Sequence, residues 1–204
     1  ESDRMTGLRL TPRKFEAEKR VVIEEYNQRY LNQPYGDQMM LARALHYRVH
    51  PYRWATIGLT PDHVAAATIA EAEEFYRRYY RPSNAILSIV GDVEEQRVFE
   101  LAEKWFGGIA DQPFVADLLP VEPEQTEARR LEVERNVPAT GITITFPMGN
   151  RHSRDYYLLD LVSDLLAGGE SARLYDALVR RRRLFGAVNA YITGDVDAGM
   201  FVMT

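Results

Sequence analysis

The sequence predicts an α+β fold, and three observations support that class. Helix-forming segments and strand-forming segments are interleaved along the chain, but they do not alternate strictly. Strict alternation is typical of a doubly wound parallel sheet, so its absence favours helices packed on an antiparallel or mixed sheet. Of the 204 residues, 46% are hydrophobic and 27% are charged, which is the composition of an ordinary globular chain that can form a core.

Charge and cysteine content exclude several classes of protein. The formal net charge of −5 argues against sequence-independent nucleic-acid binding, which needs a basic face. The chain has no cysteine, so a disulfide framework, a thiolate zinc site and a cysteine nucleophile are all excluded. No apolar run reaches the roughly 18 residues that a membrane-spanning helix needs, so no such span is predicted.

Start and stop signals define the elements of the first half. Thr11 followed by Pro12 is a helix start, and Thr68 with Glu71 forms a capping box that opens another helix. That helix must end before Pro82, since proline and the residue before it resist the helical conformation. The predictions are helices at 11–31, 37–47, 68–81 and 95–106, and a buried strand at 85–90.

The second half follows a proline-rich stretch with little periodicity, residues 113–130, which we predict to be a linker. Ser153 and Ser171 are predicted caps of two helices. Segments that alternate between apolar and polar residues are predicted strands: 131–137, 140–146, 187–193 and 199–204. The chain begins without methionine and ends on a strand pattern, so we expect a piece of a longer protein.

Two carboxylates on the first long helix are candidate functional residues. Glu18 and Glu25 are seven residues apart, so both project from one helix face about 10.5 Å apart along the axis. That separation is too large for both to bind one metal ion, but one could be a ligand and the other could support it. Alternatively, the two residues belong to a solvated acidic face.

Other groups have simpler interpretations. His46 and His50 have the spacing of a zinc pair, but Tyr47 and Val49 stand where the two known motifs need glutamate. Pro51 also removes His50 from the helical region, so we predict a histidine at a helix end followed by a turn. The four arginines at 180–183 are typical of a solvated helix end, with an anion-binding or nucleic-acid-binding module as the alternative.

Five segments, in order, resemble the insulinase/pitrilysin family of zinc metallopeptidases, whose zinc helix carries H-x-x-E-H. The resemblance covers roughly residues 15–204. The segments are Glu18 to Glu25, His50-Pro51-Tyr52 with Ile57-Gly58, residues 75–85, residues 89–93, and residues 168–179.

The resemblance assigns roles to the two carboxylates. It implies that Glu25 is the third zinc ligand and that Glu18 supports the site from behind. The two histidine ligands and the general-base glutamate of H-x-x-E-H are not in this chain, so we expect them upstream and expect no catalytic residue in this piece. Zinc is the implied cofactor of the parent zinc endopeptidase. We expect this piece alone to bind no zinc and to be inactive.

The resemblance also implies a domain organisation and a partner. Residues 1–112 would end a first, zinc-bearing domain, and residues 131–204 would begin a second one. An Arg and a Tyr that reach substrate in many relatives fall near Val179 and Gly186 here, so we expect a second homologous half or subunit to complete a cavity for peptides or small proteins. A structural or partner subunit without a working metal site is the alternative. We expect a bacterial periplasmic location.

Overall fold

The computed structural model describes residues 1–111 and 113–204. It contains seven α-helices in this described part, three short strands, and single turns of π- and 3-10 helix. The α-helices are α1 (Ser2–Thr6), α2 (Pro12–Tyr26), α3 (Gln38–His46), α4 (Pro61–Ala66), α5 (Ile69–Tyr79), α6 (Glu95–Phe106) and α7 (Arg154–Ala167). The strands are β1 (Ile144–Pro147), β2 (Ala190–Ile192) and β3 (Met200–Met203). The π-helical segments are Asn27–Leu31 and Tyr175–Arg181.

Three predicted helix starts are confirmed by a side-chain cap, whereas the predicted cap at Ser171 is wrong, since the helical segment that follows it has no side-chain cap. The Thr11 hydroxyl accepts a hydrogen bond from the Lys14 N–H, and the Ser153 hydroxyl accepts one from the Tyr156 N–H. Thr68 and Glu71 form the complete capping box. These contacts satisfy backbone N–H groups that have no partner within the helix, which is why short polar residues specify these boundaries.

The three strands form one antiparallel sheet in the order β1-β3-β2. The central strand β3 carries Met200, Phe201 and Val202, all of which are buried. Tyr47, at the end of α3, packs with Met200 and Val202 as the core cluster of the described residues. The α+β prediction is therefore confirmed, with the core placed where α3 meets β3.

Two predicted strands are wrong for this chain, and the other three are shorter than predicted. Residues 85–90 and 131–137 form no strand, and the strand predicted at 140–146 begins at Ile144. A strand needs a hydrogen-bonded neighbour, and none lies beside these two segments among the described residues. Ile86, predicted to be buried, is 98% exposed.

The described residues form two compact units. The first unit contains Glu1–Glu25 and Thr60–Leu118, and the second contains Tyr26–Leu59 and Leu119–Thr204. The predicted domain organisation concerns the longer protein and stays a prediction, and its boundary at residue 112 lies outside the described residues. Within the described chain, no helix combines the length and apolar character needed to cross a membrane.

Candidate functional site

The α2 helix carries both candidate carboxylates. It runs without interruption from Pro12 to Tyr26, so the predicted spacing holds and Glu18 and Glu25 lie on the same side, nearly two turns apart. Glu18 is exposed, whereas Glu25 is half-buried. The two carboxylates therefore share one face of α2 but differ in exposure.

A lysine on α2 anchors this helix within the first unit. The Lys19 ammonium donates to the Glu16 carboxylate at 3.1 Å and to the Ala67 carbonyl at 3.0 Å. Its side chain is only 13% exposed, and its charged end lies 5.5 Å from the centre of the Phe15 ring. The contact with Ala67 joins α2 to the loop between α4 and α5, which limits the rotation of α2 about its axis.

Tyr26 fixes the end of α2. It is 4% exposed, and its hydroxyl donates to the Leu59 carbonyl at 2.9 Å. Burial raises the pKa of Tyr26, so the phenol stays protonated and keeps donating this bond at neutral pH.

The described residues do not complete a metal site. They include no group of three or more His, Asp or Glu side chains that could hold a metal ion. A catalytic zinc site needs three protein ligands, and Glu25 could supply one of them. The described residues therefore do not form a zinc site by themselves.

The two histidines with zinc-pair spacing have separate structural roles, as predicted. His46 ends α3, is buried, and places its Nδ1 3.0 Å from the Thr145 hydroxyl. His50 is also buried: its Nδ1 accepts a hydrogen bond from the Tyr52 N–H, which caps the following 3-10 turn. Its Nε2 lies 3.3 Å from the Asp197 carboxylate.

The electrostatic surroundings keep His46 neutral. Burial lowers the pKa of His46, and the nearby Arg129 guanidinium lowers it further. The neutral ring can form a hydrogen bond with the Thr145 hydroxyl. A charged ring would be buried beside a second cation, which is unfavourable.

The positive charge of the arginine run is partly neutralised by an aspartate in the same helical segment. Arg180 and Arg181 both contact the Asp176 carboxylate, at 3.6 and 2.7 Å. The side chains of both arginines are exposed, so these ion pairs are screened by solvent and stabilise the turn only weakly. These contacts fit the interpretation of a solvated helix end.

Sequence reasoning missed the residues that hold the proline-rich stretch in place. Glu122 accepts hydrogen bonds from three consecutive backbone N–H groups, those of Arg48, Val49 and His50. Arg129 donates to carbonyls at the end of α3. No local pattern indicates these contacts, because their partners lie more than 70 residues away in the sequence.

Two cavities lie on the second unit, with volumes of about 460 and 500 Å³. Tyr35 and Gln38 border both of them. Neither Glu18 nor Glu25 lines either cavity. The candidate ligand is therefore not part of these two concave sites.

Comparisons with known proteins agree with this fold. Residues 66–204 match the family model described as the peptidase M16 inactive domain. The zinc protease PqqE of Helicobacter pylori is 34% identical over 188 residues, which is 90% of this chain and 42% of that protein. An uncharacterised zinc protease of Streptomyces coelicolor, SCO5738, is 26% identical over 70% of this chain and 32% of its own length.

Solved structures give the same result. The crystal structure of a protease from Helicobacter pylori superposes with a TM-score of 0.84 at 30% identity, covering 99% of this chain and 49% of that one. A peptidase M16 inactive domain from Pseudomonas fluorescens has a TM-score of 0.74 at 19% identity, covering 98% and 48%, and shows the shared fold. The chain spans less than half the length of these relatives. Because the family match covers more than half of the chain, this chain belongs to the insulinase (M16) family of peptidases.

Proposed function

We propose that the full-length protein containing this chain is a zinc endopeptidase that hydrolyses peptide bonds, and that Glu25 supplies its third protein ligand for zinc. The observation that carries the proposal is the position of Glu25, half-buried at the end of a continuous α2 and immediately before the buried Tyr26. The relatives named as zinc proteases support the reaction and the metal.

The roles proposed for this chain are limited to positioning and charge. Zinc, when bound in the full-length protein, would polarise the scissile carbonyl and acidify a bound water. The Glu25 carboxylate would contribute negative charge and one ligand oxygen. Glu18, further along the same face, would orient a neighbouring ligand by hydrogen bonding, as groups that surround metal ligands commonly do.

This chain alone is proposed to be inactive and to bind no stoichiometric zinc. One carboxylate cannot replace three protein ligands, and the ligand histidines would come from H-x-x-E-H upstream. The test is calorimetric titration of the isolated chain with zinc. Tight one-to-one binding would contradict the proposal.

The ligand assignment is tested in the full-length protein with three matched glutamine variants on α2. Glu25→Gln should abolish stoichiometric zinc and peptidase activity, since it removes a charged ligand. Glu18→Gln should weaken zinc binding by about 10- to 100-fold. Glu24→Gln, which changes the neighbouring exposed residue, is the control and should retain both. Elemental analysis and peptide hydrolysis give the two readouts, and full zinc content in Glu25→Gln would exclude its role as a ligand.

A second homologous half is the proposed partner. The solved relatives are about twice the length of this chain, which supports a protein built from two such halves. Together the halves would enclose a cavity for a peptide or small protein. Removal of the second half from the full-length protein tests this arrangement. The truncated form should lose peptidase activity, and a size measurement of both forms shows whether the missing half has been replaced by a second subunit.

The alternative function is a partner subunit of the same fold with no working metal site. The family model that matches residues 66–204 describes an inactive domain, and this observation favours the alternative. The discriminating measurement is the sequence upstream of residue 1. If H-x-x-E-H is present there, the zinc proposal stands. If that region lacks it, Glu18 and Glu25 have no role in metal binding.

A further inference from the structure

Three successive backbone N–H groups converge on one carboxylate after α3. The N–H groups of Arg48, Val49 and His50 donate to Glu122 at 2.6, 2.9 and 3.0 Å. Consecutive N–H groups that point to one place form a concavity that binds anions, and here a side chain of the same chain fills it. Hydrogen bonds to a charged acceptor are stronger than neutral ones, so Glu122 is held firmly.

The protonation state of Glu122 supports this contact at neutral pH. Partial burial raises the pKa of Glu122, but the N–H groups of His50, Arg48 and Val49 outweigh burial and leave the pKa below its ordinary value. The contribution of this carboxylate to stability is therefore present above the ordinary pKa and is lost only as the pH falls through the lowered one.

A second contact holds the same segment seven residues later. The Arg129 guanidinium donates to the carbonyls of Leu45 and His46 at 2.9 and 2.5 Å. Carbonyls in the last turn of a helix lack partners within the helix, and a cation there is favourable. Glu122 and Arg129 thus bind the chain on both sides of the end of α3.

Further contacts continue the attachment towards β1. The Tyr35 hydroxyl donates to the Ala139 carbonyl at 2.6 Å and accepts from the Ala139 N–H at 3.0 Å. Tyr35 has a φ of 62°, a strained conformation for a tyrosine that the surrounding contacts must stabilise. The other contacts are Arg135 with Asp37 at 2.9 Å and Gln38 with Thr143.

We propose that residues 122–143 are a strap that fixes α3 and the His50 turn to the β1-β3-β2 sheet, with Glu122 and Arg129 as its two fastening residues. The strap includes part of the stretch that the sequence predicts to be a linker. Leu118 and Val121 lie outside the strap and are 99% and 89% exposed. This inference concerns rigidity and does not depend on the zinc proposal.

The first test measures amide hydrogen exchange in the full-length protein. Glu122→Ala should accelerate exchange at the amides of Arg48, Val49 and His50 by at least about tenfold, since each loses a bond to a charged acceptor. Glu124→Ala, a change at an exposed glutamate of the same segment, should leave these amides unchanged. Equal exchange in the two variants would overturn the proposal.

The second test needs no variant and covers the case in which Glu122→Ala does not fold. Trypsin cleavage after Arg129 is followed in the native full-length protein and in the urea-unfolded chain. An Arg129 side chain that is held by the end of α3 cannot enter the active site of trypsin. Cleavage after Arg129 should therefore be at least about 100-fold slower in the native protein than in the unfolded chain. Comparable rates in the two states would show that the segment is a flexible linker.

Discussion

The two units differ in where their side chains are buried. Every buried side chain of the described residues lies in the second unit, whereas the first unit has none. The first unit nevertheless contains two well-formed amphipathic helices, α5 and α6. Local sequence signals therefore suffice to form its helices, but they do not give it a core.

The presence of a sheet explains the difference. In the second unit, α3 packs against β1 and α7 packs against β2, and the central strand β3 is buried. In the first unit, the segment predicted to be a strand, residues 85–90, has no partner among the described residues. An amphipathic helix gains most of its stability from the surface against which it packs, so α5 and α6 lack that contribution here.

The largest expected effect is a core truncation in the second unit. Met200 is fully buried, so Met200→Ala should lower the free energy of unfolding by about 2–5 kcal/mol. In the first unit, Phe99 on α6 is 62% exposed, so Phe99→Ala should cost much less in the isolated chain. Urea denaturation followed by circular dichroism measures both. Equal losses would show that the first unit has a core after all.

The next prediction compares the chain with the full-length protein. Ile86→Lys should leave the stability of the isolated chain unchanged, because Ile86 is already exposed. In the full-length protein we expect residues 85–90 to pair in a sheet, so the same change should cost about 1.5–3 kcal/mol of hydrophobic burial. Leu118→Lys, at a residue outside the predicted strand, is the control. An unchanged full-length stability in Ile86→Lys would contradict the strand prediction.

Helix boundaries could be predicted from sequence because their signals are local. Thr68 and Ser153 act on N–H groups three residues away, so the pattern and the contact lie in the same short segment. For strands, the sequence predicts only which segments favour an extended conformation. Whether such a segment forms a strand depends on a second segment that pairs with it, and its own sequence does not specify that partner. The segment 85–90 has strand character and no partner here.

For the candidate site, too, local geometry could be predicted from sequence, but contacts between distant segments could not. The shared face of Glu18 and Glu25 follows from helical geometry, and the structure has that helix. The assignment of Glu25 as a ligand came from the family resemblance and stays a prediction. The fastening by Glu122 was not predictable, because its carboxylate binds N–H groups 72 to 74 residues away.

A smaller effect should distinguish the units by their helix caps. Thr68→Ala removes the cap of α5 in the first unit, and Ser153→Ala removes that of α7 in the second. Each change should cost about 1 kcal/mol of local helix stability. Because α7 packs on a sheet, the stability lost in Ser153→Ala should appear as a lower free energy of global unfolding. The stability lost in Thr68→Ala should appear only as faster amide exchange within α5. Global destabilisation by both would indicate one cooperative unit.

The smallest effect is a pH dependence of the second unit that comes from His46. Burial, with Arg129 nearby, lowers the pKa of His46 below its ordinary value of 6.5, so the unfolded chain takes up the proton more readily than the folded one. Its contribution to stability is therefore present above the ordinary pKa and is lost as the pH falls from there through the lowered pKa. Urea midpoints of the wild type and of His46→Asn, measured on both sides of the ordinary pKa, test this. The wild type should lose more stability on acidification, and an equal loss would mean that His46 does not cause it. Because the first unit has no buried histidine among its described residues, exchange in α5 should not change around the ordinary histidine pKa. It should respond only in more acidic solution, where Glu71 of the α5 capping box is protonated, since hydrogen bonds from the Thr68 backbone and hydroxyl lower the pKa of Glu71.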